Sequence, residues 1–239
     1  MPAAALRRQE AGSLAERAYD AIKTAILRCT LAPGARVSEA QLAATFEFGK
    51  AGIRTALHRL SQEGLVVPVA RQGYFISSVT AADVIDLFNV RLLLEPAAAR
   101  LAAGRVDKKQ LRDLDRLCRV GYDLDKPKSV ERFQQVNKEF HLLITEAAGS
   151  PRLTRVLAGI LDESHRLHYL GLTLPSADHP AHDVGHRQLV DAIESGDPDR
   201  AEEVAKQGIV EAQRNCVDRL LSLPSVRSAE IPIDGAPVR

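Results

Sequence analysis

The chain has 239 residues, 45% apolar residues and a formal net charge of +1, which are values of a globular protein with one large or two smaller domains. The sequence contains no apolar run of about 18 residues and no N-terminal signal pattern, so it predicts neither a membrane span nor a secreted protein. Its three cysteines, Cys29, Cys118 and Cys216, are far apart and odd in number, which favours a reduced, cytoplasmic setting.

Charge is distributed unevenly along the chain. Residues 1–78 hold 10 Lys+Arg and 6 Asp+Glu, a net charge of +4, whereas residues 79–239 hold 22 and 25, a net charge of −3. A basic N-terminal part on an acidic remainder indicates an anionic partner for the first part only. The alternative is ordinary scatter of charged residues.

The N-terminal part alternates between helix and turn signals. After a flexible tail at residues 1–12, Ser13 is an N-cap for the helix "LAERAYDAIKTAILRC", and "APG" ends it. Ser38 caps a second helix, "EAQLAATF", and a third helix is expected at about residues 51–63, with Gly64 as its stop. "LVVPV" and "YFISSV" then predict a β-hairpin. This order predicts a winged helix-turn-helix domain over residues 13–78.

The third helix and the hairpin tip carry the candidate DNA-binding residues. Lys50 and Arg54 are one helical turn apart and share a face that can enter the major groove. Arg71, Gln72 and Gly73 occupy the tip of the wing, where phosphates or the minor groove come within reach. The alternative for the two basic residues is a solvated helix face.

These motifs resemble the N-terminal domain of GntR-family bacterial transcription regulators. The matching pattern is "PG", "SE..LA", "R.AL.RL..EGL" and a hairpin glycine before aromatic residues, over about residues 14–78. The resemblance implies that Arg54, Lys50 and Gly73 contact a pseudo-palindromic double-stranded DNA operator. Gly49 and Gly52 stand where the family usually has Ser and Pro, which predicts a start of the recognition helix weakened by on the order of 1 kcal/mol. We therefore expect a frayed first turn in the free protein.

The remainder of the chain has helical periodicity from Thr80 to about Leu223. Thr80 caps a helix whose predicted inward residues are Val84, Leu87, Phe88, Leu92 and Leu93, and Pro96 is expected to kink or divide it. Further helices are predicted at about 107–122, 129–147, 151–171, 180–194 and 198–222, with "GLTLPSADHP" as an irregular link. The fold class is thus mainly α: a winged helix-turn-helix domain followed by an all-helical bundle over residues 79–223, with a flexible tail at 224–239.

Three polar residues point to a second site inside the bundle. Asn137 and His141 are four residues apart on one helix face, and His186 precedes the apolar residues of another helix. Two inward histidines on different helices can hold a metal ion or a small anion. The alternative for each histidine alone is a hydrogen-bonded core residue.

The segments "FNVRLLLE", "N..FH..L..AAGSP.L" and "H..LVDAIESGDPDRAEEVA" resemble the FCD ligand-binding domain of FadR-type GntR regulators, over about residues 81–220. The resemblance implies a homodimer that senses small metabolites, often carboxylates, and a metal held by one Asp and three His. Here the Asp falls on Asn137, two His on His141 and His186, and the third on Gly208. The changed ligands predict weak or no binding of Zn²⁺ or Ni²⁺. Arg91, which matches the family arginine, is expected to clamp an effector carboxylate together with His141 and His186.

Three hypotheses follow from these patterns. The first is a dimeric transcription regulator controlled by a small organic acid, the second a DNA-binding dimer with a vestigial helical domain, and the third a metal-dependent enzyme. The sequence lacks nucleophile, zinc-protease and phosphate-loop motifs, so it predicts a protein that is not an enzyme.

Overall fold

The computed structural model describes residues 13–123, 125–172 and 183–221, and both predicted tails and most of the "GLTLPSADHP" link lie outside these residues. The chain forms two compact units that divide between Val79 and Thr80. Each unit has its own hydrophobic core.

The first unit consists of three helices and a small sheet. Its elements in chain order are α1 (Leu14–Leu27), β1 (Arg36–Val37), α2 (Glu39–Phe46), α3 (Lys50–Gln62), β2 (Val66–Val69) and β3 (Gly73–Ile76). Capping boxes at Ser13 and Ser38 begin α1 and α2, as predicted, because each hydroxyl accepts a backbone N–H while the residue three positions on caps it in return. Gly64 follows the end of α3 in a left-handed conformation, φ +73°.

The predicted hairpin is part of a three-stranded sheet with the order β1-β3-β2. β2 and β3 are antiparallel, and Pro68 of the edge strand β2 pairs with Tyr74. The sequence did not predict β1, whose residues Arg36 and Val37 pair with Phe75 and Tyr74. A two-residue strand carries no alternating pattern of its own, so only the partner strand defines it.

Helix α3 is anchored through its apolar side. Ile53, Leu57 and Leu60 are fully buried, as predicted, and pack in one cluster with Ile22 and Ile26 of α1. The opposite side of α3 is thereby left to solvent.

Two glycines shape the start of α3. Gly49 is its N-cap, has extended backbone angles and supplies no side-chain hydrogen bond, yet the helix begins at Lys50. An added Cβ at Gly52 would lie 3.6 Å from the carbonyl oxygen of Leu14, an ordinary van der Waals distance to the first turn of α1. The structure therefore leaves room for a side chain at Gly52, and the frayed first turn stays a prediction.

The second unit is a bundle of six helices within the described residues: α4 (Ala81–Ala102), α5 (Lys108–Arg119), α6 (Pro127–Ala147), α7 (Pro151–Leu172), α8 (Asp183–Ser195) and α9 (Pro198–Leu221). Helix α4 packs against α6, α7 and α9, and its central position brings its polar residues into the interior. Asp197 caps α9, as predicted, through a hydrogen bond from the Arg200 amide to its carboxylate, 3.0 Å. Among the described helices, none has the length and apolar character needed to cross a membrane.

Pro96 lies inside α4, which is one helix from Ala81 to Ala102, so of the predicted kink or division the division does not occur. One other prediction about α4 was wrong. Leu93 was assigned to the buried side but its side chain is 74% exposed, whereas Val84 and Phe88 are buried. The buried side carries Arg91 and Glu95 instead, so polar residues take positions that an apolar periodicity would give to leucines.

We expect Gly52→Ala to raise the free energy of unfolding by about 0.5–1 kcal/mol, because alanine loses less backbone entropy in a helix and its Cβ fits beside Leu14. Urea denaturation followed by circular dichroism measures this. Gly73→Ala is the contrasting variant: its φ is +99° and its Cβ would lie 3.0 Å from the Val37 carbonyl oxygen, so it should destabilise the wing. A destabilised Gly52→Ala variant would show that α3 requires glycine there.

Candidate functional site

The outer face of α3 presents the predicted recognition residues to solvent. Lys50 is exposed at the first position of the helix, and the Arg54 side chain is 69% exposed one turn further on. Glu39, the first residue of α2, accepts two hydrogen bonds from Arg54, from Nε at 3.0 Å and from Nη2 at 2.9 Å. These bonds hold the pKa of Glu39 below its ordinary value.

The ion pair between Glu39 and Arg54 fixes the arginine by one edge. A guanidinium has five N–H donors in a planar fork, so binding through Nε and Nη2 leaves the edge with Nη1 available. Because the pair is solvent-exposed, it contributes little to stability. Its consequence is orientation: a flexible arginine is held in one direction on the face of α3. The sequence alone did not point to Glu39, since nothing in its spacing from Arg54 shows that α2 and α3 meet there.

The wing tip is built from a constrained turn. The Gln72 amide donates to the Val69 carbonyl at 3.0 Å, Arg71 has φ +62°, and both side chains are exposed. Arg36 of β1 donates from Nε to the Gln72 carbonyl at 2.6 Å. Arg36 thus ties the tip to the sheet, a role that depends on the unpredicted strand β1.

The second unit contains a cavity of about 350 Å³. All the residues that the sequence predicted for the effector or metal site line it: Arg91, Asn137, His141 and His186. Gly208, where the family's third histidine falls, lines it as well. These five residues come from helices α4, α6, α8 and α9. The remaining wall includes apolar side chains such as Phe88, Leu161, Leu189 and Ile209. A mostly apolar cavity with a few convergent polar groups is typical of small-molecule sites.

A buried network connects three of the polar side chains in the wall. Arg91 Nε lies 2.5 Å from Glu95 Oε1, and His141 Nδ1 lies 3.2 Å from Glu95 Oε2. Burial alone would raise the pKa of Glu95, but the charge of Arg91 and the hydrogen bond from His141 outweigh it, so that pKa is held well below its usual range. Glu95 is therefore an ionised carboxylate that neutralises Arg91.

This network revises the role expected for Arg91. An arginine with no protein partner would offer its full charge to an incoming carboxylate, whereas here Glu95 already occupies Nε. Only the terminal Nη groups remain for a ligand. The i, i+4 spacing of Arg91 and Glu95 is visible in the sequence, but ion pairs on the exposed surface of a helix have the same spacing. The spacing therefore does not predict that this pair is buried.

The two predicted histidines lie next to each other in the cavity. The ring centroids of His141 and His186 are 5.3 Å apart, and His186 stacks on Phe140 at 4.3 Å. Because His141 Nδ1 donates to Glu95, its Nε2 carries the lone pair in the neutral ring and is available to a ligand. A carboxylate that orients an imidazole in this way is common behind metal-binding histidines.

The donor set nevertheless does not fit the four-ligand metal site that the family resemblance implies. Asn137 is a neutral amide, and Gly208 lines the cavity without a side chain. Among residues 13–123, 125–172 and 183–221, no three His, Cys, Asp or Glu side chains form a group that can hold a metal ion. Weak metal binding remains a prediction.

Comparison with known proteins shows the family. Residues 14–76 match the profile of bacterial regulatory proteins of the gntR family, and residues 86–210 match the FCD domain. The chain is 28% identical over 195 residues to the uncharacterised HTH-type transcriptional regulator YdhC of Bacillus subtilis, covering 80% of this chain and 84% of that one. It is 31% identical over 182 residues to an uncharacterised HTH-type transcriptional regulator in an unstable DNA locus of Streptomyces ambofaciens, covering 75% of each.

Solved structures agree on the fold. The structure of Escherichia coli McbR/YncC superimposes with a TM-score of 0.71 at 18% identity, covering 87% of this chain and 99% of that one. The chain belongs to the GntR family of transcription regulators, in the branch with an FCD domain. The prediction of a winged helix-turn-helix domain followed by a helical domain, and of a regulator rather than an enzyme, is confirmed.

If Glu39 orients Arg54, Glu39→Gln should lower the ratio of operator to non-specific DNA affinity by about threefold to tenfold, part of the roughly 1–3 kcal/mol that a bidentate arginine–guanine contact contributes. Competition binding with random-sequence DNA measures the ratio. Glu47→Gln is the matched control, because Glu47 is exposed in the same unit and its substitution removes the same negative charge. An equal effect of both variants would show that only charge matters.

Restoring the missing ligands should restore a metal site. An added Cβ at Gly208 has no neighbour within 4 Å, so Asn137→Asp with Gly208→His should bind about one Zn²⁺ or Ni²⁺ per chain, while the wild type is substoichiometric. Asn137→Asp with Gly159→His is the control, since Gly159 is an exposed helical position with similar space. Elemental analysis reads the outcome; a full equivalent in the wild type, lost in His141→Ala, would contradict the prediction.

Proposed function

We propose that this GntR-family regulator binds operator DNA as a homodimer and that a small carboxylate in the cavity of the second unit changes its operator affinity. The observation that carries the effector part is the cavity itself. Its volume of about 350 Å³ lies within the range of roughly 300–1,000 Å³ typical of small-molecule sites. A vestigial domain would be expected to fill such a space with side chains, because an empty apolar volume destabilises a core.

DNA reading is assigned to Lys50 and Arg54 on α3 and to Arg71, Gln72 and Gly73 at the wing tip. The side chains of Lys50, Arg54, Arg71 and Gln72 are exposed, and α3 has only its apolar side buried. An exposed basic helix face beside an exposed basic turn suits simultaneous contact with base edges and phosphates. A homodimer would place two such faces on half-sites about one helical turn apart, which a pseudo-palindromic operator matches.

The effector is assigned to Arg91, His141 and His186, with Asn137 beside them. The Nη groups of Arg91 are charged donors in a buried wall, where a carboxylate forms strong hydrogen bonds. Glu95 opposes a second negative charge nearby, so we expect moderate affinity for simple acids and stronger affinity for acids with further polar groups. A divalent metal held by His141 and His186 is an alternative bridge to the same carboxylate.

Arg54→Ala should abolish operator binding at concentrations that saturate the wild type, because a lost base contact costs roughly 1–3 kcal/mol in each half-site. A fluorescence-anisotropy titration measures the affinity, and light scattering shows whether the oligomeric state is kept. Arg155→Ala is the control: it removes the same charge from an exposed position on α7 of the second unit. Unchanged operator affinity in Arg54→Ala would exclude the assigned role of α3.

A thermal-shift screen of small organic acids, with and without Zn²⁺, should find acids that raise the melting temperature of the wild type but not of Arg91→Met, because a ligand of the native state stabilises it by mass action. Operator titrations with the same acids then show whether binding changes DNA affinity. Acids that stabilise the protein but leave operator affinity unchanged would contradict effector control. Stabilisation of Arg91→Met to the same extent would contradict the assigned carboxylate contact.

A further inference from the structure

Two buried polar atoms in the cavity wall have no role in the network of Arg91, Glu95 and His141. Gln134 is 4% exposed and His165 is 9% exposed, and both line the cavity. Within the described part of the chain, neither Gln134 Nε2 nor His165 Nε2 has a hydrogen-bond partner. Buried polar atoms are nearly always satisfied in native proteins, so an exception in a cavity wall points to a ligand.

Gln134 and His165 lie at the same level of the cavity. They belong to α6 and α7, which pack against each other. Two contacts fix the antiparallel register of these helices: an ion pair between Lys138 and Asp162, and the rings of Phe133 and His168 with centroids 6.0 Å apart. This register places position 134 opposite positions 166 and 167, so Gln134 lies within one helical turn of His165 along the helix pair, and both residues line the same cavity.

His165 is uncharged at neutral pH, as the Gln134 amide is. Burial, and then the nearby charge of Lys138, lowers the pKa of His165 to about 4. At neutral pH its ring thus has one N–H and one lone pair, while the Gln134 amide nitrogen has only donors. When His165 Nε2 carries the lone pair, a carboxylate, which only accepts, can pair with the Gln134 amide but not with that nitrogen, whereas a hydroxyl donates to Nε2 and accepts from the amide and so satisfies both.

We propose that Gln134 and His165 form a hydroxyl-recognising subsite, so that the effector is a hydroxylated carboxylate and not a plain fatty acid. This rests on the proposed binding of a carboxylate near Arg91 and adds the group that selects among acids. Because the two nitrogen atoms would otherwise stay unsatisfied, a ligand that lacks the hydroxyl leaves them buried and unpaired. Sites of this kind discriminate strongly against the deoxy analogue.

The test is calorimetric titration of the full chain with matched acids that differ by one hydroxyl: lactate and propionate, 3-hydroxybutyrate and butyrate, 6-hydroxyhexanoate and hexanoate. In the wild type at least one hydroxy acid should bind about tenfold or more tightly than its deoxy partner. Gln134→Leu and His165→Phe should each remove this preference. Gln135→Leu is the matched control, because Gln135 is the exposed neighbour on the same helix.

A second measurement does not require a ligand. If Gln134 Nε2 is unsatisfied in the free protein, Gln134→Leu removes a buried unpaired donor. In the full chain without added acid, it should therefore raise the melting temperature by about 2–4 °C, and Gln135→Leu should not. An unchanged or lowered melting temperature would show that the amide already has a partner and would overturn the proposal. Binding of no hydroxy acid in the set, or equal affinity within every pair, would also overturn it.

The outcomes separate this inference from effector control. A hydroxyl preference that disappears in Gln134→Leu, without any effect of the acid on operator affinity, supports the subsite and contradicts effector control. Acids that change operator affinity but bind equally with and without the hydroxyl support effector control and contradict the subsite.

Discussion

Two charged side chains of α4, Arg91 and Glu95, lie buried in the second unit, and the arrangement of the cavity depends on how they neutralise each other. Leaving one of them without its partner would strand a charge in the interior at a cost of roughly 3–5 kcal/mol. Glu95 also orients His141 of α6. A single carboxylate therefore sets both the donors that Arg91 can offer and the ring nitrogen that His141 presents to a ligand.

The position of this network on α4 connects ligand binding with the rest of the bundle. Helix α4 packs against α6, α7 and α9, which supply most of the cavity wall, and it begins two residues after the end of the first unit. A ligand that engages Arg91 acts on the helix that directly follows the DNA-binding unit in the chain. Regulation further requires that the ligand bind the DNA-competent and DNA-incompetent states with different affinity.

Much of this organisation was predictable from the sequence, for identifiable reasons. Capping boxes at Ser13 and Ser38 and the Asp197-Pro198 start are local signals, and the structure confirms all three. The cavity residues His141 and His186 were found because imidazoles among apolar residues stand out. Glu39, Glu95 and Gln134 were missed, since contacts between helices and burial decide their surroundings, and spacing along one helix reveals neither. Leu93 was misplaced for the same reason: Arg91 and Glu95 occupy the buried side of α4.

The central claim is that the cavity and the DNA-reading face are thermodynamically coupled. The most direct test measures four dissociation constants on the wild-type protein at one salt concentration: operator with and without saturating acid, and acid with and without operator. Linkage requires the two ratios to be equal, and we predict a common factor of about 5–150. Ratios of one for an acid that binds in the cavity would contradict the account, because the second unit would then bind its ligand without regulating DNA binding.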